Sequence, residues 1–115
     1  MPVIEHCISL YKLWYGYRDQ FPKKSRYTLG DTMDKIFIET LELLSLASYQ
    51  SKEEKLPSLE RALRNIDVLK FFSHLAWDLH ILDDKKFILL SEKLLEVGRM
   101  LGGWRKGLAT KTPVS

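Results

Sequence analysis

The feature that most constrains this chain is a regular apolar pattern near its C-terminus. Its members follow one another at alternating steps of 3 and 4 residues: Phe87, Leu90, Leu94, Val97, Leu101 and Trp104. This spacing places all of them on one face of an α-helix, as in a helix that packs within a bundle. Three glycines interrupt the same helix, and each costs about 0.5–1 kcal/mol relative to alanine. Their presence needs a reason.

Two interpretations of the glycines stay open at this point. Gly98 and Gly102 are four residues apart and share a helix face, with Gly103 and Trp104 following directly. The first interpretation is a helix end that glycine has weakened. The second is a surface that lets another subunit or partner approach closely, bordered by basic side chains. Those basic residues are Arg105 and Lys106.

Three further segments carry helical patterns. We expect a first helix over residues 3–20, a second from Leu29 to about Gln50, and a third that begins between Glu54 and Ser58 and ends near His80. The fourth helix should cover Lys85 to about Lys106. Helices of about 20 residues span about 30 Å each, and short connections make neighbours antiparallel. The sequence therefore predicts an all-α fold, an up-down-up-down antiparallel four-helix bundle, in residues 1–108, with a flexible tail at 109–115.

The core-facing positions follow from the same patterns. The first helix repeats at Ile4, Ile8, Tyr11, Tyr15 and Arg18, and its apolar face is widened by Leu10, Leu13, Trp14 and Tyr17. The second repeats at Leu29, Met33, Ile36, Thr40, Leu43 and Ala47, and its face is broadened by Phe37, Leu41 and Leu44. The third repeats at Leu59, Ala62, Ile66, Leu69, Ser73, Ala76 and His80. We expect these side chains to line the interior.

Local signals mark the helix starts. Pro22 suits the first position of the second helix, because a proline there loses no helical hydrogen bond. Ser51 and Glu54 have the spacing of a capping box. Asp83 is a good N-cap for the fourth helix. Pro57 argues that the third helix starts after the capping box.

Composition narrows the functional classes. The formal net charge is +3, which permits a polyanionic partner without requiring one. A single cysteine, Cys7, excludes an internal disulfide framework and fits a reducing compartment. No signal peptide is visible at the start, and no apolar run is long enough for a membrane span. We therefore expect a cytoplasmic protein.

The motifs of common enzymes are missing. The glycines at 98, 102 and 103 are not followed by the Lys-Ser/Thr pair of a phosphate-binding loop. Glu92 and Glu96 lie on one helix face, but no Glu-x-x-His pair accompanies them to build a di-metal site. His6, His74 and His80 lack ligand spacing. The sequence predicts no catalytic residue, no metal and no cofactor.

The charged residues are unevenly placed. Lys23, Lys24 and Arg26 crowd the turn before the second helix, where cations oppose the helix dipole. This corner is either a solvated loop or a surface that faces phosphate. The exposed side of the second helix is acidic, whereas the third carries outward Arg61 and Arg64.

Four motifs resemble one known family. They are Phe21-Pro22-Lys23, Arg26-Tyr27-Thr28-Leu29-Gly30, the run Leu69-Lys70-Phe71-Phe72 with Leu75-Ala76 and Asp78-Leu79, and Gly98-Arg99-Met100-Leu101-Gly102-Gly103-Trp104. The family comprises the accessory variability determinant (Avd) proteins of diversity-generating retroelements. These are related to the four-helix-bundle proteins of ribosomal RNA intervening sequences. The resemblance runs from about Tyr11 to Lys106, and the glycine-rich motif is its most specific part.

The resemblance implies a homopentameric ring that binds nucleic acid and a partner reverse transcriptase. It would support mutagenic cDNA synthesis from a template RNA without catalysis of its own. RNA, DNA or an RNA–DNA hybrid would contact basic side chains by their phosphates. The candidates are Lys23, Lys24, Arg26, Arg61, Arg64, Arg99, Arg105 and Lys106, and the candidates for the subunit interface are Gly98, Gly102, Gly103 and Trp104. The alternative is an intervening-sequence-type bundle that acts through protein contacts alone.

Overall fold

Each of the four predicted patterns forms a helix in the computed structural model, which describes residues 2–111 and side chains through residue 108. The long helices are α1 (Pro2–Asp19), α3 (Asp31–Ala47), α4 (Lys52–Asp78) and α5 (Asp84–Lys111). Between α1 and α3 lie the short α2 (Lys23–Ser25) and a π-helical turn (Arg26–Gly30). No strand occurs in this part of the chain.

The long helices form a square bundle. Each one contacts two neighbours, in the cyclic order α1, α3, α4, α5. The whole measures 54 × 21 × 19 Å. The predicted all-α, up-down-up-down four-helix bundle is therefore confirmed. None of the helices in residues 2–111 has both the length and the apolar composition needed to cross a membrane.

The buried faces of α4 and α5 are those that the sequence predicts. On α4, six predicted positions are buried: Leu59, Ala62, Ile66, Leu69, Ser73 and Ala76. On α5, Leu90, Leu94, Val97 and Leu101 are buried, while Phe87 and Trp104 pack against the core from its edge. On α3 the buried residues are Met33, Thr40 and Ala47 of the predicted repeat and Phe37 and Leu44 of its broadened face.

The predicted core face of α1 is only partly correct, because the widening residues Leu10 and Trp14 are buried while much of the predicted repeat is not. The buried residues are Val3, Cys7, Leu10 and Trp14, whereas Ile8 and Tyr15 are exposed. Trp14 decides the orientation, because its ring stacks on Phe37 with centroids 5.3 Å apart and meets Phe21 edge-on at 5.4 Å. The helix carries two adjacent apolar faces, and only the neighbouring helices determine which one turns inward.

Polar contacts fix the corner between α1 and α3. Asp34 accepts hydrogen bonds from the Tyr11 hydroxyl at 2.8 Å and from the Trp14 indole at 3.1 Å. Arg18 forms an ion pair with Asp31. Pro22 is the N-cap of α2 (φ −53°, ψ 144°), not its first helical residue as predicted. The extended backbone at Pro22 is what turns the chain.

Two of the predicted helix starts hold and one boundary is wrong. Ser51 caps α4 and accepts from the Glu54 backbone N–H at 3.4 Å, and Asp83 caps α5 through the Lys86 N–H at 2.8 Å. However, α4 begins at Lys52, with Pro57 inside the helix. Because Pro57 is exposed, water can satisfy the carbonyl that its missing N–H leaves unpaired. At the other end of the chain, α5 continues to Lys111, five residues beyond the expected end. Of the predicted tail, residues 112–115 lie outside the described residues.

The C-terminus of α4 also differs from the prediction. The helix ends at Asp78, so His80 is exposed rather than a core residue, and its φ is 61°. The His80 N–H donates to the Trp77 carbonyl at 3.0 Å and the Ile81 N–H to the Ala76 carbonyl at 2.9 Å. This pair of bonds is a Schellman motif, whose left-handed position usually holds glycine.

Replacing His80 with glycine should therefore stabilise the protein. A left-handed conformation costs a residue with a Cβ about 1–2 kcal/mol, partly offset by the greater freedom of glycine in the unfolded chain. We expect a net gain of about 1 kcal/mol in the free energy of unfolding, seen in urea or thermal denaturation. The matched control is His74→Gly inside α4, which should lower stability; equal effects of the two variants would contradict the assignment.

Ser73 gives a second prediction. It is fully buried, and its hydroxyl has no hydrogen-bond partner among the described residues. Since an unpaired buried hydroxyl is unfavourable by about 1–3 kcal/mol, Ser73→Ala should raise the free energy of unfolding by about 1 kcal/mol. Ala76→Ser places a hydroxyl one turn away on the same buried face and should have the opposite effect. A destabilised Ser73→Ala variant would mean that the hydroxyl has a partner in solution.

Candidate nucleic-acid interface

The structure divides the predicted phosphate-binding residues between two regions. Lys23, Lys24 and Arg26 follow the end of α1. The contact between Lys86 and Gln20 shows that this end of α1 lies beside the start of α5. Arg105 is nineteen residues further along α5, or roughly 28 Å at about 1.5 Å per residue. The predicted set therefore does not form one patch.

Arg26 has a structural role within the corner. Its guanidinium donates to the carbonyls of Asp19 at 3.0 Å and Phe21 at 3.1 Å. These carbonyls end α1 and would otherwise lack partners. The Arg26 Nε is buried without a partner. Lys23 and Lys24, in contrast, are exposed on the short α2.

Arg61 is also occupied. Its guanidinium binds Glu39 of α3 with two hydrogen bonds of 3.1 Å, and Asn65 donates to the same carboxylate at 2.8 Å. The hydrogen bonds from Arg61 and Asn65 lower the pKa of Glu39, and Glu39 in turn raises the pKa of Arg61. The charge of Arg61 is thus compensated within the chain.

Five of the remaining cations are available to an anionic ligand: Lys23, Lys24, Arg64, Arg99 and Arg105. Arg64 lies on the outer side of α4, one turn from Arg61, and Arg99 and Arg105 are exposed on α5. Among the described residues, no ion pair involves these three arginines or the two lysines of the corner. Lys106 is exposed beside Arg105. An exposed guanidinium without an acid partner is the group that phosphate oxygens bind in pairs of hydrogen bonds.

The four predicted interface residues divide into two pairs. A Cβ added at Gly98 would lie 3.5 Å from Ile66 and 3.7 Å from the Lys70 ammonium, both ordinary van der Waals distances, so this position faces α4 within the chain. Trp104 packs on the core edge, with the Lys55 ammonium 5.5 Å from its ring centroid. Gly102 and Gly103 face open space. Only these last two present an open surface to a partner.

Other reactive groups offer no catalytic geometry in the described residues. Burial raises the pKa of the Cys7 thiol to about 11, which keeps it protonated. His6 pairs with Glu96 and His74 with Asp78, both at the surface. Residues 2–108 contain no group of three His, Cys, Asp or Glu side chains that could hold a metal ion.

A family model described as bAvd-like matches residues 3–108. The chain belongs to this family. The resemblance drawn from the Phe21-Pro22-Lys23 and Gly98–Trp104 motifs is thereby confirmed across nearly the whole chain. The family consists of accessory, non-catalytic proteins of diversity-generating retroelements. No curated protein matches the chain.

The Glu39–Arg61 pair predicts a pH dependence of stability. Because the folded-state pKa of Glu39 is below its ordinary value of 4.5, the stabilisation is present above that value and is lost as pH falls through the folded pKa. Glu39→Gln should therefore lower the urea midpoint slightly at pH 7, and by less at an acidic pH where Glu39 is protonated in the folded protein. Glu42→Gln, an exposed carboxylate on the same helix, is the control. The same deficit at both pH values would exclude the ion pair as its cause.

Proposed function

We propose that this accessory protein binds nucleic acid through its phosphate groups and docks with the retroelement's reverse transcriptase, supporting mutagenic cDNA synthesis from a template RNA. The carrying observation is that several cations are exposed and form no ion pair within the described residues. Among them are Lys23, Lys24, Arg64 and Arg105. Such contacts give affinity that depends on salt and not on base sequence. The protein acts as a homo-oligomer, a ring of five subunits, which multiplies the basic clusters available to one polymer.

The direct test is a salt titration of binding to a structured RNA and to an RNA–DNA hybrid, followed by fluorescence anisotropy. Each phosphate neutralised contributes about −0.7 to −0.9 to the slope of log K against log salt concentration. We expect a slope of about −3 or steeper. Absence of binding at low salt would overturn the polyanion role and leave the alternative, a bundle that acts through protein contacts alone.

Two arginines on α4 provide a matched pair of variants. Arg64→Ala and Arg61→Ala change the net charge equally, but only Arg61 has an acid partner within the chain. If phosphate contacts are local, Arg64→Ala should lower the affinity about 5- to 10-fold and reduce the salt slope by about 1. Arg61→Ala should have a smaller effect on both. Equal losses would show that only overall charge matters.

Docking with the polymerase is tested separately. The purified protein and the reverse transcriptase encoded beside it should elute together on gel filtration after nuclease treatment. Nuclease removes any bridging RNA or DNA, so co-elution then reports a direct protein contact. Separate elution would contradict the partnership without bearing on nucleic-acid binding.

A further inference from the structure

The outer surface of α1 carries a regular stripe that faces solvent. Its members are spaced by 3 and 4 residues and all are exposed: Glu5, Ile8, Lys12, Tyr15 and Asp19. Ile8 is 41% and Tyr15 is 58% exposed. Both line a surface groove of about 350 Å³ with Tyr11, Lys12 and Leu41 of α3. We call Glu5, Ile8, Lys12, Tyr15 and Asp19 the α1 stripe.

The outer surface of α5 carries a second stripe with the same spacing. Its members are also exposed: Lys85, Ile88, Glu92, Leu95 and Arg99. Ile88 is 54% and Leu95 is 42% exposed. Among the described residues, none of the six charged side chains in the two stripes forms an ion pair. We call Lys85, Ile88, Glu92, Leu95 and Arg99 the α5 stripe.

Internal contacts show which residues of the two helices lie at the same height along the bundle. His6 of α1 pairs with Glu96 of α5 at 2.8 Å. The Lys86 ammonium lies 5.8 Å from the ring centroid of Tyr17. From His6 to Tyr17, α1 advances by eleven residues. Over the same distance along the bundle, α5 runs back by ten residues, from Glu96 to Lys86, as expected for antiparallel neighbours. Interpolation gives the height of each stripe residue to within about two residues, or about 3 Å.

At every height the two stripes are complementary. Apolar residues are level with apolar residues, and each charge is level with the opposite charge. The pairs are Glu5 with Arg99, Ile8 with Leu95, Lys12 with Glu92, Tyr15 with Ile88, and Asp19 with Lys85. The order, apolar positions separated by complementary charges, is that of helices that recognise each other.

The stripes do not meet within one subunit. Ile8 and Tyr15 lie on the α3 side of α1, where Leu41 completes their groove. Leu95 is one turn before Gly98, which faces α4, and Ile88 is one turn after Asp84, which accepts a hydrogen bond from Trp77 of α4. The two surfaces therefore point away from each other, and a second molecule is needed to bring them together.

We propose that the α1 stripe of one subunit packs against the α5 stripe of the next, and that this contact builds the ring. It rests on the oligomeric form in the proposed function and names the surface responsible. Rotation about an axis parallel to the bundle leaves the height of every residue unchanged. Side chains that are level within one subunit are then also level across the contact. Two different patches that point in diverging directions form the heterologous contact that closes a ring.

The proposed contact assigns a role to Gly102 and Arg99, whose roles the sequence alone leaves open. Gly102 follows Arg99 by three residues, so it extends the α5 stripe and leaves room for the start of the neighbouring α1. Arg99 pairs with Glu5 of the next subunit instead of binding phosphate. Lys23, Lys24, Arg64 and Arg105 stay free for nucleic acid.

Charge reversal tests the pairing. Lys12→Glu and Glu92→Lys each place like charges across the contact, and each should raise the protein concentration at half-assembly at least about tenfold in light scattering or native mass spectrometry. The double variant Lys12→Glu/Glu92→Lys restores opposite charges and should assemble like the wild type. The matched controls are Lys35→Glu and Glu42→Lys, exposed residues of α3 outside both stripes.

The outcomes separate the proposals. A wild-type protein that stays at 13.5 kDa up to high concentration overturns the ring itself, while the salt titration still judges nucleic-acid binding. An assembled protein whose single variants behave like the controls overturns the contact and leaves the ring standing. Loss of assembly in the single variants without restoration in the double variant overturns the pairing. Circular dichroism identifies any variant that has failed to fold.

Disulfide trapping gives a second measurement that does not depend on charge. With Ile8→Cys and Leu95→Cys in one chain, oxidation should produce a ladder of covalent oligomers on a non-reducing gel, and its highest rung counts the subunits. Ile8→Cys with Ile88→Cys places the thiols about seven residues apart in height, or roughly 10 Å, too far for a disulfide. A ladder from this mismatched pair, or none from the matched pair, overturns the register. Cys7 is buried and stays out of the reaction.

Discussion

Burial of one apolar face on each long helix is the constraint on which the rest of this structure depends. Isolated helices of this length are marginal in water, so their stability comes from packing. The core runs along the bundle from Val3 and Leu101 at one end to Phe21 and Leu82 at the other. Trp14, stacked on Phe37, fixes the rotation of α1. Once that rotation is set, every outward-facing residue on α1 is determined as well.

The exposed surface of this protein carries charged and apolar groups that the stability of the bundle does not require. Some charges are used internally: Arg61 binds Glu39, Arg26 caps the end of α1, and Arg18 binds Asp31. Others have no partner within the described chain, and several large apolar side chains stay exposed beside them. A chain that leaves both kinds of group at its surface is suited to contact polyanions and other proteins. This fits an accessory role in which binding, and not chemistry, is the contribution.

The candidate site was only partly visible in the sequence. Lys23, Lys24 and Arg64 are exposed as expected, but no spacing rule shows that Arg61 is held by Glu39, which lies 22 residues away on another helix. The glycines of α5 show the same limit of prediction from sequence spacing. Gly98 faces Ile66 of α4 within the chain, whereas Gly102 faces open space. Both have the same local sequence signal, and only the neighbouring helix distinguishes them.

The sequence by itself determined the helical class, the number of long helices, the buried faces of α4 and α5, the caps at Ser51 and Asp83, and membership of the family. These depend on local periodicity and local hydrogen bonds, which a linear pattern contains. Only the tertiary structure decided which face of α1 turns inward, where α4 ends, which arginines are already paired and how α1 and α5 align in height. Each of these depends on contacts between residues far apart in the chain. A helix with apolar residues on two sides is compatible with either orientation until its neighbours are in place.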